Sequence, residues 1–269
     1  MRRVPATAKI NLALVVGPRR EDGKHDVMTV LQRIDLCDRI SLARASRLEI
    51  RGFAQDTLVR EALLAFATAA GVHPTWSVRI DKRIPVAAGL GGGSSDAATA
   101  LRLANETLTE PLTTERLHAI AAGIGADVPF FLAQGPQLGS GDGSELAPLD
   151  LPQDYWVLLV LPTGAHKSAT AAVYDAFDGA RGFDERQAAL RTALAKARRP
   201  LDLAELPPND LAASPLADEL RELGAFRADV TGAGPAVYGL FVRREPAEAA
   251  RRSVASWGDT WLTVPTWYG

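Results

Sequence analysis

The most informative stretch of the sequence is Pro85-Val86-Ala87-Ala88-Gly89-Leu90-Gly91-Gly92-Gly93-Ser94-Ser95-Asp96. Four of the five residues at positions 89–93 are glycine. Glycine loses more conformational entropy on folding than any other residue, so this density of glycine indicates a structural or functional requirement. Without Cβ atoms, the backbone N–H groups of such a loop can approach a ligand closely. An apolar helical pattern follows, with Ser94 or Ser95 as the predicted N-cap. A glycine loop that leads into a helix N-terminus is typical of an anion site, and we expect it to bind a polyphosphate.

Three better-known glycine motifs do not fit the sequence. The P-loop pattern G-x-x-x-x-G-K-[ST] fails at Gly23-Lys24, because His25 follows the lysine. The dinucleotide pattern G-x-G-x-x-G fails because Ser94 stands at the position of its last glycine. The hydrolase pattern G-x-S-x-G fails because Asp96 stands where its second glycine is needed. A plain tight turn before a capped helix remains the alternative, but a turn normally needs one or two glycines.

Strand and helix patterns alternate on both sides of the glycine stretch. Residues 8–16 alternate in polarity, which predicts a strand with Lys9 and Asn11 on the same face. Residues 135–150 are rich in glycine and proline and predict turns and a domain boundary. The other predicted elements are strands within 38–50, 76–80, 155–161, 236–243 and 260–264, and helices within 56–70, 97–108, 117–124, 183–205, 215–224 and 246–257. This order predicts an α+β or α/β protein with two domains, residues 1–150 and 151–269.

Composition and charge exclude several classes of protein. The chain has 269 residues and a formal net charge of −2, and neither sign of charge forms a long block, which disfavours a nucleic-acid-binding protein. The single cysteine, Cys37, excludes disulfide frameworks and cysteine-based zinc sites. The longest apolar run, residues 155–161, is far shorter than the roughly 20 residues of a membrane span. The residues after Met1 do not resemble a signal peptide, so we expect a cytoplasmic protein.

Several further short sequence motifs are spread along nearly the whole chain. They are Ala8-Lys9-Ile10-Asn11-Leu12, Asp22-Gly23-Lys24-His25, Leu31-Gln32, Ile34-Asp35-Leu36, Gly125-Ala126-Asp127-Val128-Pro129-Phe130-Phe131, Asn209-Asp210-Leu211 and Thr231-Gly232-Ala233-Gly234-Pro235. In this order, together with the glycine stretch, they resemble the GHMP small-molecule kinases, the family of galactokinase, homoserine kinase and mevalonate kinase. The resemblance implies the two-lobed α+β fold of that family. Its N-terminal nucleotide lobe is like ribosomal protein S5, and its C-terminal lobe is ferredoxin-like.

The resemblance also implies an activity and the residues that carry it. The form of the glycine stretch is similar to one branch of the family, which transfers the γ-phosphoryl of ATP to a cytidine-linked substrate. The acceptor is the 2-hydroxyl of the methylerythritol part, in the non-mevalonate route to isoprenoid precursors. Asp127 would be the base, and Lys9 would stabilise both the ionised carboxylate and the anionic transition state. From the sequence alone, Asp127 would be interpreted as an ordinary turn residue and Lys9 as a lysine exposed to solvent. The implied ATP-binding residues are Pro85, Ala88, Gly89, Leu90, Gly91, Gly92, Gly93, Ser94 and Ser95.

A second set of residues is implied to bind the cytidine diphosphate-linked methylerythritol: Asn11, Lys24, His25, Thr170, Tyr174, Thr231 and Gly232. His25 would contact cytosine and Tyr174 would pack against it, while Asn11 can offer a donor and an acceptor to the substrate. Two positions depart from the family pattern. Lys24 stands where an aromatic residue is usual, and Ala233 where a serine is frequent. Lys24 either leaves the base to His25 and Tyr174 or pairs with the diphosphate.

Several expectations depend on the reaction rather than on single residues. Polyphosphate chemistry implies Mg²⁺, although no acidic cluster in the sequence identifies its ligands. Another GHMP kinase with a different alcohol substrate is an alternative that Lys24 keeps open. A non-catalytic nucleotide-binding protein is a second alternative, against which the presence of both Lys9 and Asp127 argues. We expect a monomer or weak dimer that binds small molecules and neither nucleic acid nor membrane.

Overall fold

The computed structural model describes residues 2–53, 57–164, 173–174, 177 and 182–266. In these residues ten strands form two sheets, accompanied by six α-helices. The strands are β1 (Val4–Arg19), β2 (His25–Arg44), β3 (Glu49–Arg51), β4 (Trp76–Asp81), β5 (Gln137–Ser140), β6 (Glu145–Pro148), β7 (Trp156–Pro162), β8 (Arg227–Val230), β9 (Val237–Phe241) and β10 (Gly258–Thr263). The helices are α1 (Leu58–Ala70), α2 (Gly92–Asn105), α3 (Thr114–Ile124), α4 (Phe183–Lys196), α5 (Pro215–Glu222) and α6 (Arg244–Ser253), with 3-10 helices at Pro129–Phe131 and Pro200–Glu205.

The first sheet contains β1 to β6 in the order β3-β4-β2-β5-β6, with β1 paired to β2. Its pairs are antiparallel except for β3 with β4, which run parallel. Helices α1, α2 and α3 contribute to the core of this half, where Leu63, Leu101 and Leu117 join Ile40 and Val78 of the sheet. Helix α1 ends as its sequence predicts, because Gly71 takes the left-handed conformation (φ +65°) that caps a helix.

The second sheet is antiparallel and has the order β10-β7-β9-β8. Helix α5 precedes β8 and helix α6 precedes β10, so the chain follows the ferredoxin-like order βαββαβ. Along β7, Leu158 and Val160 pack in a core with residues of α5 and α6, while Val157 and Leu159 belong to a different core. Both faces of the strand are therefore buried, as its continuous apolar run predicted. The predicted α+β class and the ferredoxin-like C-terminal arrangement are confirmed.

One hydrophobic core of the described residues contains side chains from both sheets. Ile10 and Leu12 of β1 share it with Val157 of β7 and with Tyr238 and Leu240 of β9. The hydroxyl of buried Tyr238 also donates to the carbonyl of Leu12 over 3.3 Å. The predicted boundary at residue 150 falls between β6 and β7, but apolar packing continues across it. The division into two domains at that residue stays a prediction.

Two expectations about local structure are wrong. Helix α2 begins at Gly92 with Gly91 as its N-cap, so neither Ser94 nor Ser95 caps it. Gly91 has a φ of +69° and its carbonyl accepts the N–H of Ser95, which starts the helix earlier than a serine cap would. Residues 135–150 are not only turns, because β5 and β6 form a hairpin whose first strand pairs with β2.

The strand pieces expected within 38–50 are also larger than predicted. Most of them belong to β2, a strand of 20 residues that pairs with β1, β4 and β5 along different parts of its length. In the described part of the chain, no helix has the length and apolarity needed to span a membrane.

Candidate functional site

A cleft of about 590 Å³ opens where the glycine-rich loop meets β1 and β2. Residues 85–94 form one wall of the cleft. Lys9 and Asn11 of β1 and Asp127, which precedes the 3-10 helix Pro129–Phe131, also line it. Phe53 and Leu58 line the cleft near the first turn of α2, and a Cβ on Gly93 would lie 3.1 Å from Leu58.

The glycine loop is held in a conformation that other residues cannot adopt easily. Gly89 has a φ of +82°, and a Cβ there would lie 2.4 Å from the carbonyl oxygen of Thr231. The loop is tied to β1 by a hydrogen bond from the Lys9 N–H to the Leu90 carbonyl, and the Ala88 carbonyl accepts the N–H of Ala236. Because α2 starts inside the loop, the positive end of its dipole faces the cleft.

A buried ion-pair cluster lies beside the glycine loop. Lys82 donates from Nζ to Asp38 Oδ2 at 2.5 Å and to Asp96 Oδ2 at 2.8 Å. Asp38 also accepts the backbone N–H groups of Arg83 and Ile84. Burial lowers the pKa of Lys82, but the two carboxylates outweigh it and leave the pKa raised, so Lys82 is a cation. A Cβ on Gly92 would lie 3.3 Å from its Nζ, which places this charge beside the loop.

Lys9 and Asp127 meet across the cleft. The Lys9 side chain is 5% exposed and that of Asp127 is 39% exposed, with 3.4 Å between Lys9 Nζ and Asp127 Oδ2. Lys9 Nζ also donates to Asn11 Oδ1 over 2.7 Å, as expected for neighbours on one face of a strand. The buried lysine therefore faces a carboxylate that remains open to the cleft.

Arg33 holds the turn that follows Asp127. Its fully buried guanidinium donates to the carbonyls of Phe130 and Ala133 at 2.9 and 2.6 Å. It also lies 5.3 and 5.6 Å from the ring centroids of Phe130 and Phe131, within the range of a cation–π contact. Burial, with a smaller effect of Arg102, lowers the pKa of Arg33 to about 10, which still leaves it charged at neutral pH.

The opposite side of the cleft is lined by His25, Tyr174 and Lys24. His25 Nδ1 lies 2.9 Å from the Gly17 carbonyl, which can only accept, so Nδ1 carries the proton and Nε2 of the neutral ring is an acceptor. The His25 and Tyr174 rings lie 5.8 Å apart at a tilt of 44°. Burial raises the pKa of Tyr174, and the charge of Asp127 raises it further, so the phenol stays protonated.

Lys24, one of the two residues that depart from the family pattern, forms an ion pair with Asp142 of the β5–β6 turn. The distance from Lys24 Nζ to Asp142 Oδ2 is 2.5 Å, and Ser144 donates to the other oxygen through its N–H and its hydroxyl. Burial acts to raise the pKa of Asp142, but these hydrogen bonds outweigh it and lower the pKa to about 2. Lys24 thus links the β1–β2 turn to the β5–β6 turn at the edge of the cleft.

Most of the predicted site residues line this one cleft. Of the predicted ATP-binding residues, Ser95 is the exception: it is buried in α2 behind the loop. Gly232 lines the cleft, whereas Thr231 is buried behind it and its hydroxyl accepts the N–H of Asn11 at 3.1 Å. Thr170 lies outside the described residues.

Several cleft residues were missed by the sequence analysis: Arg19, Thr29, Phe53, Lys82 and Asp142. Lys82 is separated from the glycine stretch by two residues, so its position in the sequence was an available signal. Thr29 and Asp142 come to the cleft through strand pairing over long sequence distances, for which the sequence gives no local signal. Among the described residues no group of three or more His, Cys, Asp or Glu side chains could hold a metal ion.

Two protein-family models match the chain. The family model "GHMP kinases N terminal domain" matches residues 57–135, and "GHMP kinases C terminal" matches residues 188–260. Together they account for more than half of the chain and include the glycine loop and Asp127. The chain is therefore a GHMP kinase, a phosphotransferase that uses ATP as its co-substrate.

The particular branch follows from individual relatives. The 4-diphosphocytidyl-2-C-methyl-D-erythritol kinase of Pelobacter propionicus is 38% identical, with 96% of each chain covered. The kinase of that name from Geobacter metallireducens is 34% identical over 96% of this chain and 95% of its own. A crystal structure of 4-(cytidine 5'-diphospho)-2C-methyl-D-erythritol kinase covers both chains completely, with a TM-score of 0.81 and 30% identity. The chain belongs to the 4-diphosphocytidyl-2-C-methyl-D-erythritol kinases.

Proposed function

We propose that the protein transfers the γ-phosphoryl group of ATP to the 2-hydroxyl of 4-diphosphocytidyl-2-C-methyl-D-erythritol. One observation carries the proposal: the Lys9–Asp127 pair lies in a single cleft between the glycine loop and the side chains of His25 and Tyr174. A phosphate-binding wall and a wall suited to an aromatic base then flank the carboxylate and the ammonium group. This is the arrangement that transfer from a nucleotide to a cytidine-linked alcohol requires.

ATP binds along the glycine loop. Its phosphates accept hydrogen bonds from backbone N–H groups in the first turn of α2, where the helix dipole favours negative charge. Lys82 adds a positive charge beside that turn, and Phe53 and Leu58 offer apolar surface for the adenine. Ser94, which lines the cleft, has the hydroxyl that best serves as a further phosphate or magnesium contact.

Magnesium enters with ATP as part of the co-substrate. Mg²⁺ bound to a polyphosphate keeps several waters and takes only one or two protein ligands. The hydroxyl of Ser94 is an oxygen donor in the cleft that fits this sparse ligation. The bound ion would balance charge on the phosphates, while the residues of the chain orient the two substrates.

In the transfer step, the oxygen of the substrate 2-hydroxyl forms a bond to the γ-phosphorus, and Asp127 accepts the proton of that hydroxyl. The bond from that phosphorus to the β–γ bridging oxygen breaks, and ADP leaves with the electron pair. The ammonium of Lys9 pairs with the Asp127 carboxylate before the step and stabilises the negative charge of the transferring group during it. Because Lys9 is buried, this charge acts with little screening by water.

The cytidine end is held by His25 and Tyr174. His25 Nε2 accepts from the 4-amino group of cytosine, and the Tyr174 ring packs against the base. The ion pair of Lys24 with Asp142 takes the place of a second aromatic surface at the edge of the cleft. Asn11 keeps one N–H for a substrate hydroxyl, with Gly232 beside it, and buried Thr231 acts through Asn11. The contact predicted for Thr170 stays a prediction.

A substrate panel tests the function. Release of ADP should be measured with ATP and Mg²⁺ for 4-diphosphocytidyl-2-C-methyl-D-erythritol, galactose, homoserine and mevalonate. We expect turnover with the cytidine compound alone. Turnover with another alcohol would keep the kinase chemistry and overturn the roles given to His25, Lys24 and Tyr174. Nucleotide binding without ADP release from any substrate would support a non-catalytic protein instead.

Replacing Gly92 with Val should weaken ATP binding selectively. A Cβ at this position would lie 3.0 Å from Ile84 Cγ2 and 3.3 Å from Lys82 Nζ, and a larger side chain would press on the loop and block phosphate approach. We expect the KM for ATP to rise about tenfold or more, roughly 1.4 kcal/mol of binding free energy, with the KM for the cytidine substrate within about twofold. Gly123→Val is the matched control, since a Cβ on Gly123 meets no atom within 4 Å. An unchanged KM for ATP would remove the loop from ATP binding.

The arrangement of the sheets and the exposed surface bear on the organisation of the protein. The two sheets lie on either side of residue 150, which supports domains of residues 1–150 and 151–269. The exposed large apolar residues in the described part of the chain are Leu64, Val72, Val86, Leu201, Val242 and Trp257, scattered through the sequence. Obligate interfaces are large and apolar, so this surface supports a monomer or weak dimer. Dependence on ATP supports a cytoplasmic location.

A further inference from the structure

Thr29 of β2 has a buried hydroxyl whose hydrogen bonds lead toward the reacting groups. Thr29 Oγ1 donates to the carbonyl of Ala13 over 2.8 Å. The same oxygen accepts the side-chain amide N–H of Asn11, with 2.7 Å between Asn11 Nδ2 and Thr29 Oγ1. Thr29 is 4% exposed at the wall of the cleft, and its hydrogen bonds lead to Lys9 through Asn11.

The direction of these hydrogen bonds is fixed by the chemistry of the groups. The Ala13 carbonyl can only accept, so it takes the single hydroxyl proton of Thr29. Thr29 is then left with lone pairs and must face the NH₂ end of the Asn11 amide. That choice points Asn11 Oδ1 toward Lys9, whose ammonium can only donate and lies 2.7 Å away. Thr29 at the NH₂ end of the amide therefore selects the same orientation of Asn11 as Lys9 does at the Oδ1 end, where the Thr231 hydroxyl also donates over 3.4 Å.

Lys9 in turn lies 3.4 Å from Asp127, so the chain of contacts runs from Ala13 through Thr29, Asn11 and Lys9 to the carboxylate. Resting on the function proposed above, we propose that Thr29 is a positioning residue for phosphoryl transfer. It locks the amide of Asn11 in the orientation that holds the Lys9 ammonium against Asp127. In this role Thr29 acts on the reaction through Asn11 and not directly on the transferring phosphoryl group.

Loss of the Thr29 hydroxyl would remove the acceptor that anchors the NH₂ end of Asn11. With Val at position 29, the NH₂ end of Asn11 would face an apolar side chain and lose its buried acceptor. Turning the amide over would not restore a partner, because Oδ1 would then face the apolar side chain and the NH₂ end would face the Lys9 ammonium, a second donor. The NH₂ end of Asn11 therefore loses its anchor, and the position of the Oδ1 acceptor that holds Lys9 near Asp127 is less closely set. Misplacement of a catalytic group by about 1 Å is enough to reduce a rate strongly.

The test uses Thr29→Val, which keeps the shape of the side chain, and Thr29→Ser, which keeps the hydroxyl. We expect Thr29→Val to lower kcat about tenfold with the KM for ATP within about twofold, and Thr29→Ser to stay within about threefold of wild type. In an Asn11→Ala background, Thr29→Val should cost nothing further, because Thr29 acts through Asn11. Wild-type kcat in Thr29→Val would overturn the inference. So would equal losses in both variants, or a full loss that persists in the Asn11→Ala background.

A second readout needs no substrate and so separates this inference from the proposed function. The side-chain NH₂ resonance of Asn11, assigned by its loss in Asn11→Ala, should exchange slowly with solvent in wild type and in Thr29→Ser. In Thr29→Val we expect it to shift and to exchange faster. If the wild-type protein fails to phosphorylate the cytidine substrate but this pattern holds, the function is wrong and the positioning stands. An unchanged Asn11 resonance in Thr29→Val would contradict the positioning role, regardless of the kinase activity that is measured.

Discussion

Replacing Asp127 with Asn should lower kcat by about 10³-fold, the middle of the range for loss of a general base. The amide has nearly the shape of the carboxylate but cannot take the proton from the substrate hydroxyl. Asp127 is partly exposed and its ion-pair partner Lys9 keeps Asn11 as an acceptor, so the fold should be retained. We expect ATP binding, measured by calorimetry, to stay within about twofold, because the glycine loop is untouched.

A matched control guards this result against a general effect of removing one negative charge. Asp154 is an exposed aspartate outside the cleft, and Asp154→Asn should keep wild-type kcat. If Asp127→Asn also turned over at the wild-type rate, Asp127 would not be the base. The phosphoryl transfer would then have to proceed without any proton acceptor at this turn.

Replacing Lys9 with Met should lower kcat by about 10²- to 10³-fold, as is typical when one group that stabilises developing charge is removed. Methionine fills most of the space of the lysine stem, so the expected loss comes from the ammonium and not from packing. Lys196, an exposed lysine in the last turn of α4, provides the control, and Lys196→Met should have no effect.

The double variant Lys9→Met/Asp127→Asn examines whether the two residues work as a pair. Groups that act as a unit lose most of their effect when the first is removed, so the double variant should be little slower than the slower single variant. If the fold-loss of kcat in the double variant equals the product of the two single-variant losses, Lys9 and Asp127 act independently. The mechanism would then need separate roles for them.

The parts of the site that the sequence could predict are those governed by local periodicity. Lys9 and Asn11 are two residues apart on a strand, and period 2 alone places them on one face. The glycine loop and the helix behind it could be predicted because glycine density and an apolar stripe are local signals. The start of α2 was misjudged because a serine side chain is the commoner N-cap, while here Gly91 takes a left-handed conformation that needs no side chain.

The parts that could not be predicted depend on strand register. Thr29 lies beside Asn11 only because the β1–β2 pairing shifts between Asn11 and Ala13, so that Asn11 pairs with Leu31 and Ala13 with Val30. Nothing local in the sequence marks this irregularity, and moving the register by one residue would turn Thr29 away from Asn11. Asp142 reaches Lys24 for a similar reason: its hairpin is attached to β2, a pairing between segments more than 100 residues apart in the sequence.

The core shared by the two sheets has a consequence for synthesis on the ribosome. The face of β1 that carries Ile10 and Leu12 is covered by Val157, Tyr238 and Leu240, which are among the later residues to be made. The first two strands can pair early, but their apolar face stays uncovered until β9 has left the exit tunnel. A nascent chain with such a face exposed is prone to aggregation and is a natural client for chaperones that bind during translation. The strand that carries Lys9 is thus made well before the strands that cover it.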